Sequence, residues 1–228
     1  FRIEATREWI WTIRKFNDKR LLAVSEMARR NNFYDIAINT ANKTKGLHNF
    51  SLRYLAPYRS IVKKCLKNSN IDEALIYGLI RQESRFVEKA KSRAGAIGLM
   101  QLMPSTAKWI AKKSGMRNYS KGLVSRIDTN LMLGTYYLEY VLNLFDNQLV
   151  LASAAYNAGP SRAKKWQSDK SLEGAIYIET IPFKETRNYV KKVMSNSVYY
   201  ANILKHKSRS LKNQLGIIAP RLSKKKET

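Results

Sequence analysis

The chain has 228 residues, is 44% hydrophobic, and carries 42 Lys and Arg against 17 Asp and Glu, a formal net charge of +25. That length and apolar content suit one ordinary domain with a helical appendage, or two small domains, and exclude collagen-like and low-complexity classes. A single cysteine, Cys65, and two histidines, His48 and His206, exclude an intrachain disulfide framework and leave no ligand-rich metal centre, while the charge proposes a polyanionic partner without naming one.

Apolar residues recur every three to four positions along most of the chain, which predicts helices rather than strands. Short helices are expected over 8–17, 19–30 and 33–41, the last carried by Phe33, Ile36, Ala37 and Ala41 although Tyr34, Ile36 and Ile38 also alternate. The polar stretch 42–57, with Gly46, reads as a connection, and a domain boundary is placed there: residues 1–55 as stacked helical hairpins, residues 56–228 as a second domain. Helices follow over 58–67, 71–87, 105–114, 127–145, 149–157, 161–166 and 185–203, and no convincing run of period two interrupts them. The predicted class is all-α. Leu211, Leu215, Ile217 and Ile218 in the basic tail predict that it packs back before Pro220, with Lys224 to Lys226 fraying.

The most informative anomaly lies on the predicted helix 71–87. Glu83 shares a face with Ile76, Leu79, Ile80, Phe86 and Val87, all apolar. A carboxyl group in an apolar pocket is disfavoured as an anion, so its pKa rises and it can stay protonated near neutral pH and donate a proton. The plainer alternative is a carboxylate capped by Arg81 or Arg85, or one turned to solvent at the helix end.

Three further segments stand out. Residues 92–104 form a loop with Gly95 and Gly98, which permit tight turns and close backbone approach to a ligand, and with Gln101 embedded among Leu99, Met100, Leu102 and Met103 before Pro104 opens a helix. The ordinary reading is a core loop with Gln101 satisfied by backbone. Residues 151–160 read as a small-residue helix that stops at Asn157 to Gly159, leaving the Tyr156 hydroxyl free at its end, or else as a simple helix stop with a half-buried tyrosine. In residues 178–190 an extended apolar turn, Thr180 to Phe183, precedes Glu185 in the first turn of the last long helix, where the helix dipole alone would explain a carboxylate.

Taken together, Arg81-Gln82-Glu83-Ser84, Gly98-Leu99-Met100-Gln101, Tyr156-Asn157-Ala158-Gly159 and the Glu179 to Tyr189 stretch resemble the soluble lytic murein transglycosylases, in order and with matching separations. The resemblance covers roughly residues 5–220. It implies a goose-lysozyme-like, all-α catalytic domain preceded by the last helices of a superhelical region, most of which lies outside this sequence. It also implies Glu83 as the single catalytic acid and Ser92, Gln101, Met103, Tyr156, Asn157, Glu179 and Glu185 as positions lining the groove for peptidoglycan glycan strands.

In the chemistry so implied, Glu83 protonates the departing oxygen of the β-1,4 bond between N-acetylmuramic acid and N-acetylglucosamine, then as carboxylate takes the proton of the sugar's own 6-hydroxyl. That hydroxyl closes on the anomeric carbon and leaves a 1,6-anhydro end without consuming water. No equally buried second acid is found, which a lysozyme-type hydrolase would ordinarily use. No cofactor or metal is expected.

A bacterial periplasmic location is implied. No apolar run approaches the roughly 18 residues of a membrane span, and because the chain opens on Phe1 its targeting segment is expected to lie outside the sequence. The rivals are a lysozyme-type muramidase and a non-catalytic basic glycan or nucleic-acid binder. The Lys and Arg pairs that would serve a nucleic-acid binder are scattered along the chain without a helix-turn-helix or zinc signature, so no nucleic-acid partner is expected.

Overall fold

The computed structural model describes residues 2–207 and 210–221; the Lys224 to Lys226 end lies outside the described residues. The architecture is helical, as periodicity predicts. Helices α1 (Arg2–Ile13), α2 (Asp18–Arg30), α3 (Tyr34–Ala41) and the single-turn α4 (Phe50–Arg53) lead into α5 (Arg59–Cys65) and α6 (Glu73–Glu83). These are followed by α7 (Pro104–Lys113), a 3₁₀ turn (Lys121–Ser125), α8 (Ile127–Leu144), α9 (Leu149–Ala158) and α10 (Pro160–Trp166). The chain closes with α11 (Gly174–Thr180), α12 (Lys184–Ile203) and α13 (Leu211–Leu215).

Three differences from the sequence reading have local causes. The helix expected to run to Val87 stops at Glu83, because Arg85 and Phe86 take left-handed backbone angles, φ 48° and 67°. Phe86 reaches the core through that reversal and not as a continuation of the helix face. Residues 174–180 form a helix where only an extended turn was expected from Thr180; seven residues are too few for periodicity to register. Two strands of two residues each, β1 (Leu172–Glu173) and β2 (Ile217–Ile218), pair antiparallel as Leu172 with Ile218 and Glu173 with Ile217. The tail therefore does fold back, with Ile218 buried and the Gly174 N–H donating to the Gly216 carbonyl at 2.8 Å.

The N-terminal helices are tied by polar contacts as well as packing. Ser25 donates to the Ala37 carbonyl at 2.8 Å, joining α2 to α3, and the Trp9 indole donates to Thr40 Oγ1 at 2.9 Å, joining α1 to α3. Asp18 receives the backbone N–H groups of Lys45, Gly46 and Leu47, which holds the loop after α3.

At the centre of the fold α6 crosses α12. From Ala74 to Ile80 every residue of α6 is buried, so it is surrounded rather than amphipathic. Asp72 caps its start by accepting the Ala74 N–H at 2.9 Å, and Glu73 in the first turn pairs with Arg59 at 2.9 Å. The approach to α12 is close because residue 78 is glycine. A Cβ there would lie 2.9 Å from the Ser197 nitrogen and 3.1 Å from the Val193 carbonyl oxygen. Asn196 on α12 seals the crossing, donating to the Gly78 carbonyl at 3.2 Å and accepting from Arg81 at 3.0 Å.

Two backbone atoms cannot move aside as a side chain would. Gly78→Ala is therefore expected to destabilise the protein by roughly 2 kcal/mol through overpacking. Urea denaturation that leaves the midpoint unchanged would show that α6 and α12 do not meet as described.

Candidate active site

Glu83 is the last residue of α6, so the chain turns away immediately beyond its carboxyl group. The Tyr189 hydroxyl, on α12, donates to Glu83 Oε1 at 2.6 Å. Neither arginine of the plainer reading supplies a partner. Arg81 turns to the Arg53 carbonyl at 3.0 Å and to Asn196, its guanidinium lying 4.4 Å from the Tyr54 ring centre, and Arg85 is exposed. Among the described residues no cation forms an ion pair with Glu83.

The residue keeps some exposed surface, but protein packs closely around the carboxyl. Loss of water pushes its pKa from 4.5 to about 7 and the charge of Glu185 adds to this, while the Tyr189 hydrogen bond pulls the other way. The C-terminal end of α6 adds a negative helix-end potential in the same raising direction. Such a group is half protonated near neutrality, the condition for a general acid that later acts as a base.

The loop at 90–103 stands beside this carboxyl and is more ordered than its composition implied. Ile97 and Leu102 exchange both backbone hydrogen bonds, at 2.9 and 3.0 Å, and the Gly98 N–H donates to the Ala90 carbonyl at 2.9 Å. Ser84, next to Glu83, donates to the Leu99 carbonyl at 2.8 Å, and Tyr156 donates to the Met100 carbonyl at 2.9 Å.

The other side of the loop is held by Asn130 on α8. Its side chain accepts the Met100 N–H at 2.8 Å and donates to the Ile97 and Val124 carbonyls at 3.0 and 2.8 Å. Gly98, at φ 81°, allows that approach, since a Cβ there would stand 2.3 Å from Asn130 Nδ2. Gly134, one turn further along α8, makes room for Met100 in the same way.

The residues singled out from sequence fall into three groups. Glu83, Tyr156 and Glu185 share one neighbourhood: the charge of Glu83 acts on both Tyr156 and Tyr189, and that of Glu185 acts on Glu83. Asn157 accepts from Thr186 Oγ1 at 2.7 Å, so it fastens the end of α9 to the start of α12 beside Glu185. The Tyr156 hydroxyl is engaged with the Met100 carbonyl rather than free.

Gln101 and Met103 belong to the loop. Gln101 sits at φ 46° and its amide NH₂ donates to the Gly98 and Ala90 carbonyls at 2.7 and 3.2 Å. Backbone therefore satisfies its donor end, as the ordinary reading had it. Met103 is exposed at the start of α7.

Ser92 and Glu179 each have partners of their own. Ser92 Oγ accepts the Ala96 N–H at 3.0 Å within its own turn, and Glu179 pairs with Lys191 at 2.5 Å and Arg187 at 3.8 Å, tying α11 to α12. Sequence reasoning did not single out Tyr189, Tyr137 or Asn130. Tyr189 lies one turn after Glu185, which offered a faint signal; for Asn130, a buried amide on a long apolar helix, the signal was its polarity alone.

A cavity of about 640 Å³ lies at the opposite end of α6, lined by Asn70, Asp72, Glu139, Asn143, His206 and Gln214 among others, and contains none of these groups. The perturbed carboxyl and its ordered loop, not the size of a concavity, mark the candidate site. Among the described residues no set of three or more His, Cys, Asp or Glu side chains is placed to hold a metal ion. No helix there is long and apolar enough to cross a membrane.

The chain is similar to known proteins in both sequence and fold. The family model of the transglycosylase SLT domain matches residues 60–178, and that of the soluble lytic transglycosylase helical domain matches residues 180–208. The chain is 33% identical over 199 residues to a soluble lytic murein transglycosylase of Escherichia coli (strain K12), covering 86% of this chain and 31% of that protein. It is 35% identical over 188 residues to a putative soluble lytic murein transglycosylase of Haemophilus influenzae, covering 82% of this chain and 32% of that protein.

Among solved structures, an inactive mutant of lytic transglycosylase Slt from Pseudomonas aeruginosa superposes with a TM-score of 0.83 at 37% identity, over 92% of this chain and 34% of that one. The 70-kDa soluble lytic transglycosylase in complex with bulgecin A gives 0.79 at 29% identity, over 98% of this chain and 35% of that one. The chain thus spans about a third of the length of these relatives.

The Glu83 carboxyl ties stability to pH with a definite sign. When folded it binds its proton up to about pH 7, and when unfolded only to about 4.5, so stability falls as pH rises between those values. Glu83→Gln can still accept from Tyr189 but never ionises. Its stability relative to the parent is expected to improve by roughly 3 kcal/mol between pH 4 and pH 8. Thermal unfolding at the two pH values checks this; a constant difference would mean that the carboxyl is not desolvated.

Proposed function

The chain belongs to the transglycosylase SLT domain family, and from that premise we propose that it is a peptidoglycan lytic transglycosylase. The proposed reaction cleaves the β-1,4 bond between N-acetylmuramic acid and N-acetylglucosamine, with Glu83 as its one acid and base. The observation that carries the reading is the carboxyl group at the end of α6, held near pKa 7 with a tyrosine and, among the described residues, no cation as its partner.

The geometry lends itself to each step. Protonated Glu83 donates to the departing glycosidic oxygen as positive charge builds at the anomeric carbon. The substrate's 2-acetamido group supports that cation. Glu83, now a carboxylate with Tyr189 donating to it, then takes the proton of the 6-hydroxyl, whose oxygen closes on the anomeric carbon to give a 1,6-anhydro-muramic end. The proton that left Glu83 in the first step is thereby replaced and no water is used.

Glu185 is exposed in the first turn of α12. It supports the chemistry as a nearby negative charge that keeps Glu83 protonated. In this reading Ser92, Gln101, Met103, Tyr156, Asn157 and Glu179 line or brace the groove for the glycan strand, residues 56–228 form the catalytic domain, and residues 1–55 its helical lead-in. Free carboxylates on the stem peptides of peptidoglycan suit a chain of net charge +25, and such a substrate places the reaction in the bacterial periplasm.

Mass spectrometry of soluble products from murein sacculi tests the proposal. The parent protein is expected to release muropeptides ending in 1,6-anhydro-muramic acid, and Glu83→Gln to lose roughly 10²–10⁴-fold in rate. Reducing ends would instead make it a hydrolase, and no products from either protein would leave a glycan or polyanion binder.

Tyr189→Phe removes the hydrogen bond that favours the charged form of Glu83, so the pKa of that group rises further. Because the first step needs protonated Glu83, the alkaline limb of kcat/KM is expected to move to higher pH in this variant. A limb that stays in place or moves to lower pH would separate Tyr189 from the catalytic ionisation.

A further inference from the structure

Beside the candidate site a series of aromatic rings runs outward to the protein surface. Tyr156, whose titration feels the charge of Glu83, lies 5.1 Å centre to centre from Tyr137, which is stacked 6.3 Å from Tyr140. Tyr140 meets Trp109 edge to face at 4.9 Å. Exposure grows along the series: Tyr156 and Tyr137 are nearly closed off, Tyr140 is half-buried, and Trp109 is 40% exposed.

A tryptophan left that open near a folded core gives up hydrophobic stabilisation, and isolated cases need no explanation. This one is not isolated. The Lys113 ammonium, one turn along α7, sits 5.2 Å from the Trp109 ring centre and 4.6 Å from that of Tyr140, so both rings and the cation are held in one arrangement. On α8 the half-buried Tyr136 and exposed Met132 stand one and two turns before Tyr140 and extend the apolar surface.

We propose that Trp109, Tyr140 and Lys113 form an outlying saccharide platform, on which a sugar ring of the glycan strand rests while its bond is cut at Glu83. The proposal rests on the reading of the site given above. Sugar rings present apolar C–H faces that pack against aromatic rings, and the strand's peptide substituents carry carboxylates for which Lys113 supplies the charge. A fixed aromatic and cation pair therefore suits a peptide-bearing strand better than a bare one. The short run of rings from Tyr156 to Trp109 places the platform near the site, so the occupant is a more distant part of the same strand rather than a separate molecule. The platform gives affinity for length and takes no part in bond cleavage.

The test compares long uncrosslinked glycan strands with an oligosaccharide too short to reach beyond the Tyr156 neighbourhood. Trp109→Ala is expected to raise KM on long strands roughly tenfold, the equivalent of about 1.4 kcal/mol, while leaving kcat on long strands and both constants on the short substrate unchanged. Trp109→Phe should recover part of the loss. Lys113→Ala should weaken only strands that keep their peptides. Equal losses on long and short substrates, or no loss on either, would overturn the platform.

A readout independent of turnover uses the Glu83→Gln protein with ¹⁵N-labelled tryptophan. The Trp109 indole signal, assigned among the four tryptophans by its disappearance in Trp109→Phe, should shift on titration with long strands and not with the short oligosaccharide. An unmoved signal overturns the platform even if Trp109→Ala fails to fold. Absence of cleavage by the parent protein would instead count against the reaction itself, leaving the titration to decide the platform.

Discussion

Removing one carboxyl group from water, with a tyrosine hydroxyl as its hydrogen-bond donor, is the constraint around which the rest of this structure is arranged. A buried carboxylate normally relaxes by pairing with a cation or by swinging out to solvent. Here the first route is closed. Arg81, two residues before Glu83, is occupied by the Arg53 carbonyl, Asn196 and the face of Tyr54. The backbone reversal at Arg85 and Phe86 then takes the chain away in a direction that buries Phe86 and leaves Arg85 outside. Left-handed backbone at a non-glycine residue costs roughly 1–2 kcal/mol. Two such residues in succession, together with a desolvated acid, make the end of α6 a place where stability has been given up for a local electrostatic condition.

That condition survives because its surroundings are rigid. The floor beneath Glu83 is the crossing of α6 and α12, which Gly78 allows to close at backbone distance and Asn196 fastens by hydrogen bonds to both sides. The wall is the loop at 90–103, whose backbone groups are gripped by Ser84 just past α6, Tyr156 on α9 and Asn130 on α8. A loop held that way has little freedom to let water in. Unsatisfied backbone would be expensive at this depth, and the three side chains meet that demand with ordinary hydrogen bonds. Gly98 and Gly134 serve the same end by omission, since the space of a Cβ at either is taken by Asn130 or Met100.

Much of this could be read from the chain before any coordinates. Helical periodicity located α6, α8, α9 and α12 because each is long and packs an apolar surface, and the five apolar neighbours of Glu83 drew attention to a carboxyl that the fold desolvates. Two of those five, Phe86 and Val87, were counted for the wrong reason: they follow the helix instead of continuing it, and positive φ at non-glycine residues leaves no mark in composition. Tyr189 entered only as the end of a motif, with no role, because its partner is 106 positions away and a hydrogen bond across that distance has no local pattern. Asn130 escaped because a lone amide in an apolar helix looks like tolerance, whereas its three hydrogen bonds show it holding another segment in place. Strands of two residues, and a seven-residue helix, fall below what periodicity can detect.

The tyrosines connect these features. Tyr137, Tyr156 and Tyr189 are all held above their usual pKa by burial, and the neighbouring negative charge of Glu83 raises the latter two further. They therefore remain neutral hydroxyls at any pH at which Glu83 titrates, able to donate hydrogen bonds but never to add a competing charge. An arginine in the place of Tyr189 would hold Glu83 ionised and end its use as an acid, and a phenylalanine would leave the carboxylate without a donor after it has given up its proton. A phenol satisfies both halves of a cycle in which one group must first lose and then regain a proton. The same rings, being flat and apolar on their faces, continue outward toward Tyr140 and Trp109. The buried rings that surround the acid thus lead to exposed ones at the surface, and under the proposal above a single row of aromatic side chains serves both the proton and the strand it acts upon.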